Sequence, residues 1–151
     1  MAILIGAPVI NMDLPKLKDK YLLLDMGVKG AMEFKKRYKR AIFIYVIPPN
    51  KERLLSQMKD RDPSRLLRSK AQIPMTSKVC DWLVINDNPE EAAIQIERIM
   101  RIIKENVHNI NNLDEDSLRF LYSCNLHNPS NREFLDRFYD QDVSYPEERQ
   151  F

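Results

Sequence analysis

Glycine is scarce in this chain: only three of the 151 residues are glycine, at positions 6, 27 and 30. A Walker A loop needs two glycines five positions apart followed by lysine, because its backbone N–H groups wrap closely around a phosphate. No two of these glycines stand at that spacing, and three are too widely placed for the G-x-G-x-x-G turn that binds dinucleotides. The 151 residues therefore contain neither of these glycine-rich phosphate cradles.

Cysteine and long apolar runs are also scarce. Two cysteines, Cys80 and Cys124, are too few for a disulfide framework, and no Cys/His spacing matches a zinc site. No apolar run approaches the ~20 residues that cross a bilayer. The first ten residues lack the basic start and cleavage site of a signal peptide. We expect a protein without a metal site or membrane contact that works in the reducing cytoplasm.

The charge is nearly balanced in total but unevenly distributed. A formal net charge of +2 is too small to indicate nucleic-acid binding, and the basic cluster at residues 35–40 is typical of a solvated helix face. Residues 1–113 carry 20 basic and 13 acidic side chains, whereas residues 114–151 carry 4 basic and 9 acidic ones. This pattern allows an acidic tail that folds back on a basic body, one that meets a partner, or two solvated faces.

Short apolar runs alternate with amphipathic segments. The runs at residues 21–26, 41–47 and 82–86 are typical of strands in a parallel sheet that is covered on both faces, and residues 3–5 would add a fourth strand. Strands that alternate with helices along the chain indicate an α/β fold.

The helices between these runs carry recognisable start signals. Residues 29–39 place apolar side chains on one face, Asn50 is a good N-cap, and Pro63 begins a further segment. Asn88 and Pro89 open a long amphipathic helix, with proline at the first helical position.

The last third of the chain predicts two short helices, at residues 114–126 and 130–139, after a polar linker. These helices carry eight large apolar or aromatic side chains that need a cover. The eight are Leu118, Phe120, Leu121, Tyr122, Phe134, Leu135, Phe138 and Tyr139. They could pack on the body of the protein, on a second copy, or on a partner.

Four segments, in this order, resemble the C-terminal half of the guanylate kinase family. Residues 21–38, YLLLDMGVKGAMEFKKRY, look like the family strand that ends in an acidic residue and is followed by Q-G-A. Residues 41–58, AIFIYVIPPNKERLLSQM, are similar to the strand that ends in P-P-S. Residues 59–73, KDRDPSRLLRSKAQI, look like the arginine-bearing lid. Residues 80–100, CDWLVINDNPEEAAIQIERIM, are similar to the closing strand and terminal helix.

This resemblance implies a truncated, three-layer fold like that of P-loop kinases, with a short parallel sheet of three to four strands between helices. Residues 1–106 would form a partial guanylate-kinase-like domain with its lid at about 59–75, and residues 107–151 an acidic helical extension. On this alignment we expect the P-loop half of the domain to lie upstream of the first residue.

Several nucleotide-binding positions of the family have matching residues here. The resemblance implies that Arg61 and Arg65, with Arg68 in place of a third, are lid arginines that neutralise the transferring phosphoryl group. Asn86 matches the family asparagine near the adenine of ATP. Solvated arginines, and a strand-to-helix cap formed by Asn86 with Asp87, are the alternative interpretations.

Other positions depart from the family pattern. Of the family's acid-x-acid pair, the first carboxylate is kept as Asp25, which the resemblance implies is catalytic, and the second is replaced by Gly27. Lys29 stands where the family has glutamine, and Ile5 and Ala7 replace side chains that contact GMP. Phosphoryl transfer depends almost entirely on such positioning groups.

Three functions remain open at this point. The first is a non-catalytic guanylate-kinase-like interaction or remnant domain that needs no cofactor, with a protein partner or a second copy at its C-terminal helices. The second is a component of a guanylate kinase, which converts ATP and GMP to ADP and GDP with a separately supplied P-loop half. The third is a regulator that binds a purine nucleotide, ATP with Mg²⁺, without transfer. The missing positioning groups favour the first.

Overall fold

The computed structural model describes residues 23–57, 71, 74–106 and 112–140. In chain order the elements are helix α1 (Val28–Arg37), strand β1 (Ile44–Ile47), helix α2 (Lys51–Gln57), strand β2 (Trp82–Ile85), and helices α3 (Pro89–Glu105), α4 (Glu115–Cys124) and α5 (Pro129–Asp140). Residues 74–79 are also helical. The predicted segment after Pro63 and the predicted strand at residues 3–5 lie outside the described residues.

The two strands form a parallel pair. Ile44 lies opposite Trp82 and Ile47 opposite Ile85. The Asn86 backbone N–H extends the pairing by donating to the Ile47 carbonyl oxygen at 2.7 Å. Within the described residues the sheet therefore has two strands, and the prediction of three to four is not confirmed.

The apolar run at residues 21–26 was expected to be a strand, and residues 23–26 are not one. Leu24 is buried against Phe34 and Ala41, whereas Leu23 is 58% exposed. A strand needs ladder hydrogen bonds to a neighbouring strand, and the pairing of β1 with β2 does not include this segment. The prediction of a strand is therefore wrong for residues 23–26, and the apolar pattern reports burial only for Leu24.

Helices cover both faces of the sheet, because successive side chains of a strand point to opposite sides. On one face, Phe43, which directly precedes β1, and the strand residues Ile47 and Leu83 belong to a core shared with α1, the 74–79 helix and α5. On the other face, Ile44 and Val84 pack with α3 and α4. Covering on both faces agrees with the near-continuous apolar composition of the strands and with an α/β architecture.

The predicted helix starts are confirmed at two asparagines. The Asn50 side chain accepts a hydrogen bond from the Arg53 backbone N–H at 2.8 Å at the start of α2. The Asn88 side chain accepts from the backbone N–H groups of Glu90 and Glu91 at the start of α3. Both bonds satisfy backbone donors that a helix leaves unpaired in its first turn.

The α4–α5 connection is anchored to the sheet. The Leu126 backbone N–H donates to the Asp81 carbonyl oxygen at 2.9 Å, beside an antiparallel bridge between Trp82 and Asn125. Leu126 is fully buried in the same core cluster as Leu83. The C-terminal helices are therefore tied to β2 by backbone bonds as well as by packing.

The two C-terminal helices differ in how far they are covered. In α5, Leu135, Phe138 and Tyr139 are buried in the core, so this helix packs on its own body. In α4, Leu118 and Tyr122 remain 48% and 63% exposed. Packing on the body of the protein is thus the correct alternative for α5. In α4, two apolar side chains stay at the surface.

No helix in the described ranges is both long and apolar enough to cross a bilayer.

A pair of tyrosines joins α5 to β1 and predicts a dependence of stability on alkaline pH. The hydroxyl oxygens of Tyr45 and Tyr139 lie 2.5 Å apart, and burial raises the pKa of both phenols. The folded state therefore holds protons that the unfolded chain releases above about pH 10. The free energy of unfolding should be unaffected by these groups below that pH and fall as the pH rises above it.

The measurement is urea unfolding of the wild type and of the Tyr45→Phe/Tyr139→Phe double variant between about pH 9.5 and 11.5. The variant should show the shallower decline, because its two phenols no longer titrate. Buried Cys80, whose pKa is raised to about 12, contributes to the decline in both proteins and so cancels in the comparison. Equal slopes would contradict the prediction.

Candidate functional site

The carboxyl ends of β1 and β2 lie at the same edge of the sheet, because the strands are parallel and in register. Residues 48–50 follow β1, and residues 86–88 follow β2. In open α/β sheets, ligands bind outside this edge. The candidate site is therefore built from the two segments that leave the strands here.

Asn86 carries an unusual polar group at this edge. Its side-chain oxygen Oδ1 is buried, and no residue in the described part of the chain donates a hydrogen bond to it. A buried acceptor without a donor costs about 1–3 kcal/mol. A ligand that presents an N–H or O–H group at this point would remove that cost.

Asn86 has two interpretations, a ligand contact and a helix cap, and the structure tests the second. Asn88, and not Asn86, caps α3. The backbone N–H of Asn86 is used in the bond to Ile47, and its side chain makes no capping bond. The cap alternative for Asn86 is therefore wrong, whereas a ligand contact remains a prediction.

Arg53 holds the neighbouring residue in place from helix α2. Its Nη1 donates to Asp87 Oδ1 at 3.2 Å, and its Nη2 donates to the Asp87 backbone oxygen at 2.9 Å. We call this pair of bonds the Arg53–Asp87 clip. Sequence reasoning missed Arg53, because 34 positions separate it from Asp87 and no local periodicity connects them.

Asp25 lies just before α1 and is exposed. Partial desolvation raises the pKa of its carboxyl group. Asn86, in contrast, directly follows β2, so these two predicted residues belong to separate segments of the fold.

Gly27 is the residue just before the first turn of α1, and its backbone does not require glycine. Its φ of −67° and ψ of 161° are extended values that any residue adopts, and no side chain caps the helix there. A Cβ atom added at Gly27 would meet nothing within 4 Å. A carboxylate side chain would therefore fit at this position.

The predicted lid arginines, Arg61, Arg65 and Arg68, lie outside the described residues. Their roles in contacting phosphates stay a prediction from the resemblance.

A groove of about 290 Å³ lies between the first turn of α2 and helix α5. Its walls include Pro49 and Lys51 on one side and Phe134 on the other, with an ion pair between Glu133 and Arg137. Asp25 and Asn86, the predicted site residues that the structure describes, do not line this groove. It forms only where the C-terminal helix meets the sheet, so the sequence offered no signal for it.

A metal site is not formed by protein side chains in the described ranges: no three His, Cys, Asp or Glu residues there could share an ion. Where the resemblance places an acid-x-acid pair before α1, this chain has a carboxylate at Asp25 and none at Gly27. The binding of Mg²⁺ together with ATP therefore stays a prediction.

The amino-acid sequence is similar to those of several guanylate kinases. It is 33% identical to the guanylate kinase of Thermotoga maritima over 89 residues, which cover 54% of this chain and 42% of that protein. It is 29% identical to that of Lactococcus lactis over 125 residues, which cover 72% of this chain and 60% of that protein. With that of Clostridium tetani it shares 30% identity over 100 residues, 62% of this chain and 48% of that protein.

The chain thus spans about half the length of the curated relatives that it matches. No family model matches it, and no solved structure matches it. The resemblance read from four segments of the sequence is nevertheless confirmed by these relatives, which share the same name. Over 54% to 72% of its length, this chain is therefore similar in sequence to guanylate kinases.

Proposed function

We propose that this chain is a guanylate-kinase-like domain that does not transfer a phosphoryl group on its own and acts through binding. The observation that carries the proposal is the geometry of Gly27. Its backbone is ordinary and its surroundings are open, so neither conformation nor packing explains why a glycine stands where the family has a carboxylate. The fold would accept the carboxylate, and its loss is therefore a change in chemistry.

The loss matters because phosphoryl transfer is a reaction of positioning. Metal and phosphate must be held in line with the attacking oxygen, and small displacements cost large factors in rate. Asp25 retains one carboxylate, while Gly27 and Lys29 no longer offer the groups of the family pattern. The alternative is that the chain is one component of a guanylate kinase and is completed by a second chain that carries the P-loop half. Mixing the two chains and measuring turnover distinguishes this alternative from a domain that only binds.

Retained binding of a purine nucleotide is supported by Asn86. Its buried oxygen needs a donor, and the exocyclic amine of adenine is a donor of the right kind. The resemblance adds Arg61, Arg65 and Arg68 as cations for the phosphates of ATP, which would bring its own Mg²⁺. Binding without transfer is the behaviour of a nucleotide-dependent regulator.

Interaction with a protein partner or a second copy is supported by α4. Leu118 and Tyr122 lie four residues apart, on the same face of the helix, and both are exposed. Since α5 uses its apolar residues in the core, α4 is the C-terminal helix with an apolar pair left for a partner. The two free cysteines are buried and fit a reducing cytoplasm, where we place this role.

The proposal predicts that the purified chain, given ATP, Mg²⁺ and GMP, forms no detectable ADP in a GMP-dependent manner. The reason is that Gly27 and Lys29 lack the groups that would position metal and phosphate. A coupled assay of ADP release measures the turnover. A turnover near 1 s⁻¹, within the usual range of kinases, would overturn the proposal. Turnover that appears only when a P-loop-bearing chain is added would support the split enzyme instead.

We expect the chain to bind ATP, and we expect the predicted lid arginines Arg61 and Arg65 to contact the phosphates of the nucleotide. Isothermal titration calorimetry should therefore show an affinity for ATP that falls about tenfold or more in Arg61→Ala/Arg65→Ala, since each charged hydrogen bond is worth about 1.5–3 kcal/mol. Arg119→Ala is the control, because Arg119 forms an exposed ion pair with Glu115 on α4. Equal affinities in all three proteins would contradict a lid role.

Gly27→Asp should be tolerated and should stabilise the protein. An aspartate at this N-cap can accept from the free N–H groups of the first turn, so we expect the free energy of unfolding to exceed that of Gly27→Ala by about 1 kcal/mol. Urea unfolding measures the difference, and Gly27→Ala isolates the cap bond from the loss of glycine. If Gly27→Asp unfolds more easily than the wild type, position 27 is not open and its glycine is structural.

A further inference from the structure

Three consecutive residues after β2 are each anchored to a different element. The Asn86 backbone N–H is bound to the Ile47 carbonyl oxygen of β1. Asp87 is held by Arg53 of α2 through both its carboxylate and its backbone oxygen. Asn88 is held by the backbone N–H groups that it caps at the start of α3. This segment is therefore bonded on its strand side, on its α2 side and on its α3 side.

Arg53 is itself held at the start of α2. Its backbone N–H donates to the Asn50 side chain, and Asn50 directly follows the two prolines after β1. The guanidinium group then reaches across the carboxyl edge of the sheet to Asp87. The clip therefore joins the segment that leaves β1 to the segment that leaves β2.

We propose that Arg53 is a positioning residue for Asn86, which acts through the Arg53–Asp87 clip to fix the direction of the Asn86 side-chain oxygen. The inference rests on the proposed binding of a purine nucleotide at Asn86. The ligand group that it concerns is the exocyclic amine of an adenine base, which donates to that oxygen.

The geometry of the clip gives this role its physical basis. An ion pair between exposed side chains is worth little in stability, and Arg53 and Asp87 are 47% and 72% exposed. The second bond is different, because it holds the backbone oxygen of Asp87 and so orients the peptide unit that follows it. A planar guanidinium can make both bonds at once, whereas the single ammonium group of lysine offers no such fork.

The clip should therefore affect ligand selectivity more than stability. Without it, the peptide unit between Asp87 and Asn88 loses the bond that orients its oxygen, and the adjoining Asn86 loses one of the restraints on its direction. Loss of the Asp87 carboxylate alone should matter less, because the bond to the backbone oxygen remains.

The first experiment needs no ligand. Hydrogen exchange of the Asn86 backbone N–H should become about fivefold faster in Arg53→Ala, because the bond from Arg53 to the Asp87 backbone oxygen is lost. It should change little in Asp87→Ala, which keeps that bond. Arg101→Ala is the matched control, because Arg101 forms an exposed ion pair with Glu97 at 3.3 Å on α3. Exchange in Arg53→Ala that equals exchange in the control would overturn the proposal.

The second experiment compares ATP with purine riboside 5′-triphosphate, which lacks the exocyclic amine. The wild type should bind ATP about tenfold more tightly, and in Arg53→Ala this ratio should fall to about twofold. Arg53→Lys should also lose most of the ratio, while Arg101→Ala should keep it. Because the two ligands are compared within each variant, a general loss of stability cancels.

The outcomes separate this inference from the function on which it rests. Wild-type protein that binds neither triphosphate would overturn nucleotide binding, and with it the role of Arg53 in selectivity. Wild-type protein that prefers ATP, together with an unchanged preference in Arg53→Ala, would overturn the role of Arg53 alone. Melting temperatures of Arg53→Ala and Arg101→Ala should agree within about 2 °C, since each removes one exposed ion pair and the further bond of Arg53 to the Asp87 backbone oxygen is also solvent-exposed.

Discussion

Two short parallel strands, β1 and β2, must be kept from water on both faces, and most of the structure follows from that constraint. Parallel strands cannot be joined by a tight hairpin, so the chain must cross from one to the other through α2 and the residues after it. Each face then needs a helical cover. Helices α3 and α4 cover one face, and α1, the 74–79 helix and α5 cover the other.

The role of α5 shows how firmly this constraint acts on the end of the chain. Leu135, Phe138 and Tyr139 are part of the same core as the strands, and the hydroxyl group of Tyr139 meets that of Tyr45 within it. Helix α5 is therefore part of the same packed unit as the two strands. Its last described helix supplies one wall of the core, and the groove beside Lys51 exists because that helix is there.

The same parallel pairing produces the candidate site. It brings residues 48–50 and 86–88 to one edge, where helix caps, a strand bond and the Arg53–Asp87 clip hold the backbone. One polar atom, Asn86 Oδ1, is left buried without a donor in a segment that is otherwise well bonded. The proposed contact with a nucleotide rests on this buried acceptor.

Local patterns of the sequence by themselves determined the helix starts at Asn50 and Asn88, the positions of β1 and β2, and the similarity to guanylate kinases. These properties depend on neighbouring residues, on apolar periodicity and on short motifs, all of which can be read along the chain. Only the tertiary structure decided that Leu24 packs in a segment without strand pairing and that Arg53 reaches Asp87. It also decided that Leu118 and Tyr122 of α4 stay exposed while α5 buries most of its large apolar residues. Each of these depends on contacts between residues far apart in sequence, and burial on a strand looks the same in the sequence as burial on a helix or a loop.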